Sequence, residues 1–308
     1  MSGPAARRWR PGWPCPTGLV LAHLRRGAGD PTYRVTPDGT VWRGIRTPEG
    51  PTTLAVAPLD ADGVVAARAW GPGAAWVLEA LPRMLGAEDD LAGFHPRHDA
   101  VARLWRRFPR WRLGATGLVM EALVPGIIEQ KVTGKEAFGG YRRLVQRFGE
   151  PAPGAPEELR LRVPPSPSDL LAIPSWEWLR MGVDHGRSAP LLRAAGVATA
   201  LERAGGQGPE RLDQALRSIR GIGVWTSAEV RARALGDADA VSFGDYHVAK
   251  DVGYALTGAP VDDAGLAELL APYAPHRHRV QRLVELGHAG APRRGARMSV
   301  RTHLPIRR

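Results

Sequence analysis

The chemistry in this sequence concentrates where a glycine turn is followed, at a short distance, by an aspartate. Leu216 to Lys250 opens on a helix-like run, Leu212–Ile219, then turns through Arg220-Gly221-Ile222-Gly223 and resumes as a second helical run from about Trp225 to Leu235. Gly221 and Gly223 can take backbone angles closed to other residues. Such a turn leaves amides free at the start of the second helix, where the helix dipole reinforces them, and this makes an anion site fit for a phosphate. Tight packing alone is the other reading of a lone Gly-x-Gly turn. Asp245 lies twenty residues after Trp225, at the head of the next helical run. Aspartate there is a good N-cap whatever else it does.

The wider pattern resembles the helix-hairpin-helix DNA glycosylase superfamily and, within it, the 3-methyladenine DNA glycosylase II family. Gly221, Ile222, Gly223, Trp225 and Thr226 match the family's hairpin, and Asp245-Tyr246 its aspartate element. Arg220 stands where a proline is usual. Ile127-Ile128-Glu129-Gln130-Lys131-Val132-Thr133 resembles an element at the DNA cleft from which a side chain often fills the gap left by an extruded nucleotide. Gln130 matches it, Glu129 replaces a glycine, and Lys131 falls where Leu or Gln is usual. A lysine is a poor apolar wedge, although its stem can stack and its ammonium can meet a phosphate. Gln130 also reads as an ordinary helix-end polar residue.

The resemblance implies an α+β protein: a small antiparallel β domain over 1–72, an all-α helix-hairpin-helix domain with a central cleft over 73–290, and a basic tail over 291–308. Composition supports the partner. The formal charge is +11 and the isoelectric point about 10.8, which suits a polyanion, because basic side chains displace counterions from phosphates. An arginine-rich composition without a bound polyanion is the alternative. The single cysteine, Cys15, excludes an internal disulfide and a cysteine-ligated iron–sulfur cluster. No apolar run approaches the ~18 residues of a membrane helix, and residues 1–26 do not read as a secretion signal. A cytoplasmic, nucleoid-associated monomer acting on double-stranded DNA with damaged bases is the expectation.

Several elements must position these residues. β-prone pieces are Gly18–Leu24, Tyr33–Thr36, Thr40–Ile45, Thr52–Pro58 and Val64–Trp70, with hairpin signals at Asp38-Gly39 and Asp62-Gly63. Gly71-Pro72-Gly73 ends the β pattern. Helical spacing then appears over Ala75–Leu85, Ala100–Trp111, Thr116–Gln130, Lys135–Phe148, Ala189–Arg203, Tyr246–Leu256, Val261–Leu270 and Tyr273–Leu286. Pro125 should kink or restart its helix. The proline-rich stretch Glu150–Pro167 should be a loop. Trp105, Phe108 and Trp111 alternate with arginines, a pattern that could grip a backbone but more simply gives one core face and one solvated face. From 291 onward there are six arginines and no acid, a generic basic tail.

In that family a damaged base is excised by breaking its N-glycosidic bond. The nucleotide must first leave the stack. The sugar then becomes oxocarbenium-like, and a nearby carboxylate stabilises the charge and orients or deprotonates a water. The resemblance assigns this to Asp245. It assigns DNA contacts to Arg220, Gly221, Ile222, Gly223, Val224, Thr226, Gln130 and Lys131. The base pocket is expected among Trp176, Trp178, Trp225 and Tyr246, with core packing as the other reading of the tryptophans. Bifunctional members carry a lysine where this chain has Trp225, which cannot form a Schiff base, so an abasic product without strand cleavage is expected. Alkylated purines are the expected substrates, since a cationic base leaves readily and stacks on aromatics. No metal-ligand spacing is visible and no cofactor is expected; relatives hold a monovalent cation on hairpin carbonyls. The alternatives are a glycosylase for bulky or other damaged bases, a non-catalytic helix-hairpin-helix DNA-binding protein, and a helical transcription regulator.

Overall fold

The computed structural model describes residues 3–291; the basic tail expected beyond them, 292–308, lies outside the described residues. The N-terminal part is a five-stranded antiparallel sheet in the order β1-β5-β4-β3-β2, from Ala5–Trp9 (β1), Tyr33–Val35 (β2), Val41–Thr47 (β3), Gly50–Val56 (β4) and Val65–Trp70 (β5). Asp38-Gly39 does turn β2 into β3: Gly39 has φ +81°, and the Asp38 carboxylate accepts the Thr40 amide at 3.1 Å. Two expectations change here. Gly18–Leu24 is not a strand but helix α1 (Thr17–Leu21) running into a short 3-10 turn, Ala22–Leu24, and the edge strand β1 carries no alternation that would have revealed it.

The helical part comprises α2 (Ala74–Met84), α3 (Asp99–Arg107), α4 (Val119–Ile128), α5 (Gly134–Phe148), α6 (Pro167–Ala172), α7 (Ser175–Arg180), α8 (His185–Gly196), α9 (Ala198–Gly205), α10 (Pro209–Arg217), α11 (Val224–Ala234), α12 (Val248–Thr257), α13 (Asp263–Leu270) and α14 (Arg277–Gly287). The run expected as one helix over Ala189–Arg203 is two, α8 and α9, meeting at Val197. Pro125 sits inside α4 without breaking it, and its carbonyl still accepts the Glu129 amide at 2.9 Å. Apart from half-buried Met120 and Glu121, which pairs with Arg43, every residue of α4 is buried and apolar. The proline-rich stretch is not featureless: Glu150–Pro151 (β6) pairs with Arg162–Val163 (β7), and this ribbon covers the outer face of the sheet at the stacked rings of Trp42 and Trp70.

The core divides into two bodies, and the division is not at residue 72. One body joins the inner face of the sheet (Val41, Ile45, Val65) to α2 and α3 and to the returning C-terminal helices through Val252, Leu266, Val280 and Leu283. The other gathers α4 to α11 around Leu123, Ile127, Leu144, Trp178, Leu191, Leu212 and Val230. α11 belongs to the second body, and α12 and α14 to the first, so the link 235–247 carrying Asp245 runs along the seam. Among the described residues no helix is long and apolar enough to cross a membrane.

Candidate active site and nucleic-acid interface

The hairpin between α10 and α11 is shaped by one obligatory glycine. Gly221 has φ +97°, and a Cβ there would come within 3.0 Å of the Pro190 Cβ. Gly223 is extended (φ −103°), caps α11, and has open space where a Cβ would stand. Ile222 points inward and anchors the turn in the second core. Gly221, Gly223 and Val224 face solvent, and the first amides of α11 have no acceptor within their own helix.

Side chains lock this turn. Gln130 Nε2 donates to the Gly221 carbonyl at 3.0 Å and to Thr226 Oγ1 at 2.8 Å. Arg193 donates to the Arg220 carbonyl at 2.6 Å. The Ile219 carbonyl accepts the Ile222 amide at 3.0 Å. Three successive carbonyls of the turn, Ile219, Arg220 and Gly221, are therefore engaged. Glu129, the residue in place of the family's glycine, pairs with Arg26 at 3.0 Å and ties this corner to the N-terminal region. Lys131 is exposed, in the left-handed region at φ +52°, at the end of the same corner. Arg193 and Arg220 are exposed at the turn itself, and Lys131 is exposed one residue after Gln130, which bonds to the turn.

Asp245 is half-buried and fully engaged. Its Oδ1 accepts the amides of His247 at 2.7 Å and Val248 at 3.1 Å, heading α12; its Oδ2 accepts the Trp225 indole N–H at 2.9 Å. The carboxylate is both a helix cap and a group held from the hairpin side. It lines a cavity of about 200 Å³. The other walls come from distant segments: His23 from the 3-10 turn after α1, Trp111 and Arg112 after α3, Glu229 and Arg233 from α11, and His278, Gln281, Arg282 and Glu285 from α14.

Those walls are polar rather than aromatic. Burial alone would raise the Glu229 carboxyl, but the Arg233 guanidinium and the Ser242 hydroxyl hold it down to about 2. The Ser242 hydroxyl donates to Glu229 Oε1 at 2.5 Å, and Gln281 bridges Ser242 to Glu285. Burial, followed by Arg282, lowers His278 to about 3, and the same two causes push His23 well below its ordinary value. Both imidazoles are neutral at physiological pH.

The four aromatics expected at a base pocket do not line this cavity. Trp178 is 1% exposed in the second core, where it packs rather than binds. Trp176 is 59% exposed on α7 and is not among the residues lining this cavity. Tyr246 is 75% exposed, with the Lys250 ammonium 3.9 Å over its ring and its edge on His247, outside the cavity. Trp225 touches the Asp245 carboxylate but does not wall the cavity. An aromatic residue is prominent in sequence, but the pleat and helix phase decide whether it faces the core or a cleft. Of the aromatics singled out in the sequence only Trp111 reaches the cavity, from a stripe that reads most simply as core. Nothing local in the sequence marks His23 or His278 as cavity residues.

No protein-family model and no curated protein matches the sequence. Solved structures do match the fold. The 3-methyladenine DNA glycosylase from Archaeoglobus fulgidus is 18% identical, covers 92% of this chain and 98% of its own, and superposes with a TM-score of 0.77. The Clostridium acetobutylicum 8-oxoguanine glycosylase/lyase, in complex with double-stranded DNA containing cytosine opposite 8-oxoguanine, is 10% identical, covers 93% and 97%, and gives 0.69. The Schizosaccharomyces pombe 3-methyladenine DNA glycosylase, in complex with abasic DNA, is 18% identical, covers 61% and 90%, and gives 0.50. The chain therefore has the α+β fold of the helix-hairpin-helix DNA glycosylases.

Proposed function

We propose that this chain is a monofunctional DNA glycosylase of base excision repair that takes alkylated purines from double-stranded DNA. The observation that carries the reading is the Asp245 carboxylate: it sits on the wall of a partly open cavity of about 200 Å³ while the hairpin's own Trp225 holds its other oxygen. In this reading the Gly221–Thr226 amides and the surrounding cations grip phosphates next to the damaged nucleotide. The nucleotide swings out, its base enters the cavity, and its sugar lies against Asp245.

The bond between C1′ and the base nitrogen then breaks, and its electron pair leaves with the base. Positive charge develops on the sugar, and Asp245, already oriented by three donors, meets it without reorganisation. A water adds to C1′ and gives its proton to Asp245 or to solvent. The product is a free base and an abasic site. Trp225 supplies no amine for attack on the sugar, which supports hydrolysis without strand cleavage. A DNA duplex is the partner, and a monomer suffices because cavity, carboxylate and hairpin all come from one chain.

The test is a screen of the purified protein against duplexes with single defined lesions, scored for alkali-sensitive abasic sites. Asp245→Asn should abolish excision and keep affinity for a duplex with an abasic analogue. Strand breaks without alkali, or a borohydride-trapped covalent complex, would show that the hydrolysis-only reading is wrong. Excision persisting in Asp245→Asn would remove the catalytic assignment, and a wild type that binds but never excises leaves a binding protein.

A further inference from the structure

The cavity beside Asp245 is lined by two uncharged imidazoles brought from opposite ends of the chain. His23 comes from the N-terminal region and His278 from the last helix, so two remote segments converge on one space. Three of the other polar walls are already paired. Gln281 is tied to Ser242 and Glu285, Glu229 to Arg233 and Ser242, and Arg282 to Glu285.

The imidazoles are different. His23 Nδ1 lies 2.8 Å from the Val20 carbonyl, so it carries the proton and donates. That leaves Nε2 as a bare lone pair, an acceptor on a residue that lines the cavity. His278 is 4% exposed, and its Nδ1 is buried with no hydrogen-bond partner. A buried acceptor without a partner is tolerated more readily than a buried N–H without one. This assigns the proton to Nε2, so the ring can offer a donor.

We propose that His23 and His278 are the specificity-determining residues of the cavity, accepting from and donating to a base that carries an N–H donor and a lone-pair acceptor. The inference rests on the glycosylase reading and deepens it by naming the substrate class: purines whose hydrogen-bonding edge survives the damage, with an amino or oxo group at C6. 3-Methyladenine and hypoxanthine qualify. 1,N6-Ethenoadenine does not, because the etheno bridge removes its N–H. A site built to hydrogen-bond its ligand rejects an analogue that leaves its buried groups unpaired.

The experiment compares wild type, His278→Phe and His278→Gln in single-turnover excision from duplexes bearing hypoxanthine or 1,N6-ethenoadenine, and from methylated DNA releasing 3-methyladenine. Affinity for a duplex with a tetrahydrofuran abasic analogue, which puts no base in the cavity, is measured alongside; His23→Phe is a second probe from the other wall. The expected result is that wild type prefers hypoxanthine to ethenoadenine. His278→Phe should slow hypoxanthine and 3-methyladenine about tenfold to a hundredfold with abasic-duplex affinity unchanged. His278→Gln should restore part of the rate.

Ethenoadenine excised as fast as hypoxanthine by wild type overturns the inference. So do a His278→Phe variant as fast as wild type and one that loses abasic-duplex affinity in step with rate, since the latter marks a structural role. A wild type that releases 3-methyladenine but neither probe base overturns the inference and leaves the glycosylase reading standing; release of no base overturns both.

Discussion

Trp225 and Asp245 are joined by a hydrogen bond of 2.9 Å from the indole N–H to Oδ2, across the twenty residues that separate the hairpin from α12. Trp225, in the first turn of α11, thus ties the hairpin directly to the Asp245 carboxylate. Trp225→Phe keeps most of the ring's volume and removes the donor. A hydrogen bond to a charged group contributes roughly 1.5–3 kcal/mol. The excision rate should therefore fall about tenfold to a hundredfold in single turnover, while affinity for an abasic duplex stays within about twofold of wild type. An unchanged rate would show that the two amides of His247 and Val248 suffice to hold Asp245.

The two hairpin glycines should behave differently. Gly221→Ala forces a side chain to φ +97° and against Pro190. It should lower stability by about 1–3 kcal/mol and weaken DNA binding with it. Gly223→Ala meets open space in an extended conformation, so the melting temperature should hold. Only affinity should drop, as the methyl shields the amides of α11. Thermal denaturation and titration with an abasic duplex separate the two; equal loss of stability in both would contradict this geometry.

Much of this site is readable locally, and the rest is not for a definite reason. The turn, Trp225, Thr226 and Asp245 lie within 26 residues, and their spacing alone sets a hairpin before a helix head. Asp38-Gly39 and the apolar spacing of 74–84 likewise need only neighbours in sequence. The cavity joins residues 23, 111, 229 and 278, which become neighbours only when the C-terminal helices fold back onto the sheet's core. No periodicity encodes that. The apolar run 18–24 suits strand or helix equally, and packing against β3 and α2 selected helix. Trp178 and Trp176 are two residues apart on one short helix, so one faces the core and the other solvent.

Acid should destabilise the fold before Glu229 titrates, and the histidines should be the cause. His278 is held to about 3 against an ordinary value of 6.5. Burial is the main cause. Arg282, Arg233 and Arg279 also oppose its protonation, and Glu229 favours it. The unfolded chain therefore takes up a proton below about pH 6.5 that the folded chain refuses, and stability falls as pH drops from 6.5 towards 3. The slope is at most about 1.4 kcal/mol per pH unit for one such group. His23 adds a shift of the same sign. Glu229, lowered from 4.5 to about 2, contributes stability that is lost only as pH falls below 4.5. The window from pH 6.5 to 4.5 thus belongs to the imidazoles among these three groups. Urea midpoints of wild type and His278→Phe across that window test this: the wild-type slope should be clearly positive and the variant's shallower. Parallel slopes would place the acid sensitivity elsewhere.

The last helix reaches the site because a buried ion pair fixes its start. Arg279 and Asp89 are 0% and 2% exposed at their side chains and meet through two bonds, at 2.9 and 2.5 Å. Asp89 also accepts the Leu113 amide at 2.9 Å, so one carboxylate holds both α14 and the segment that carries Trp111 into the cavity wall. Removing one partner of a buried pair leaves a charge with no compensation and costs about 3–5 kcal/mol. Arg279→Met should therefore lower stability by that order. The double variant Arg279→Met with Asp89→Asn should recover a large part of it, because no uncompensated charge remains and Asn can still accept from Leu113. The excision rate at low temperature should drop in the single variant beyond its unfolded fraction, since His278 and Gln281 ride on the same helix turn. Denaturant midpoints and single-turnover rates on the three variants read both effects. A double variant no more stable than Arg279→Met would mean that the guanidinium's packing, not its charge, fixes the helix.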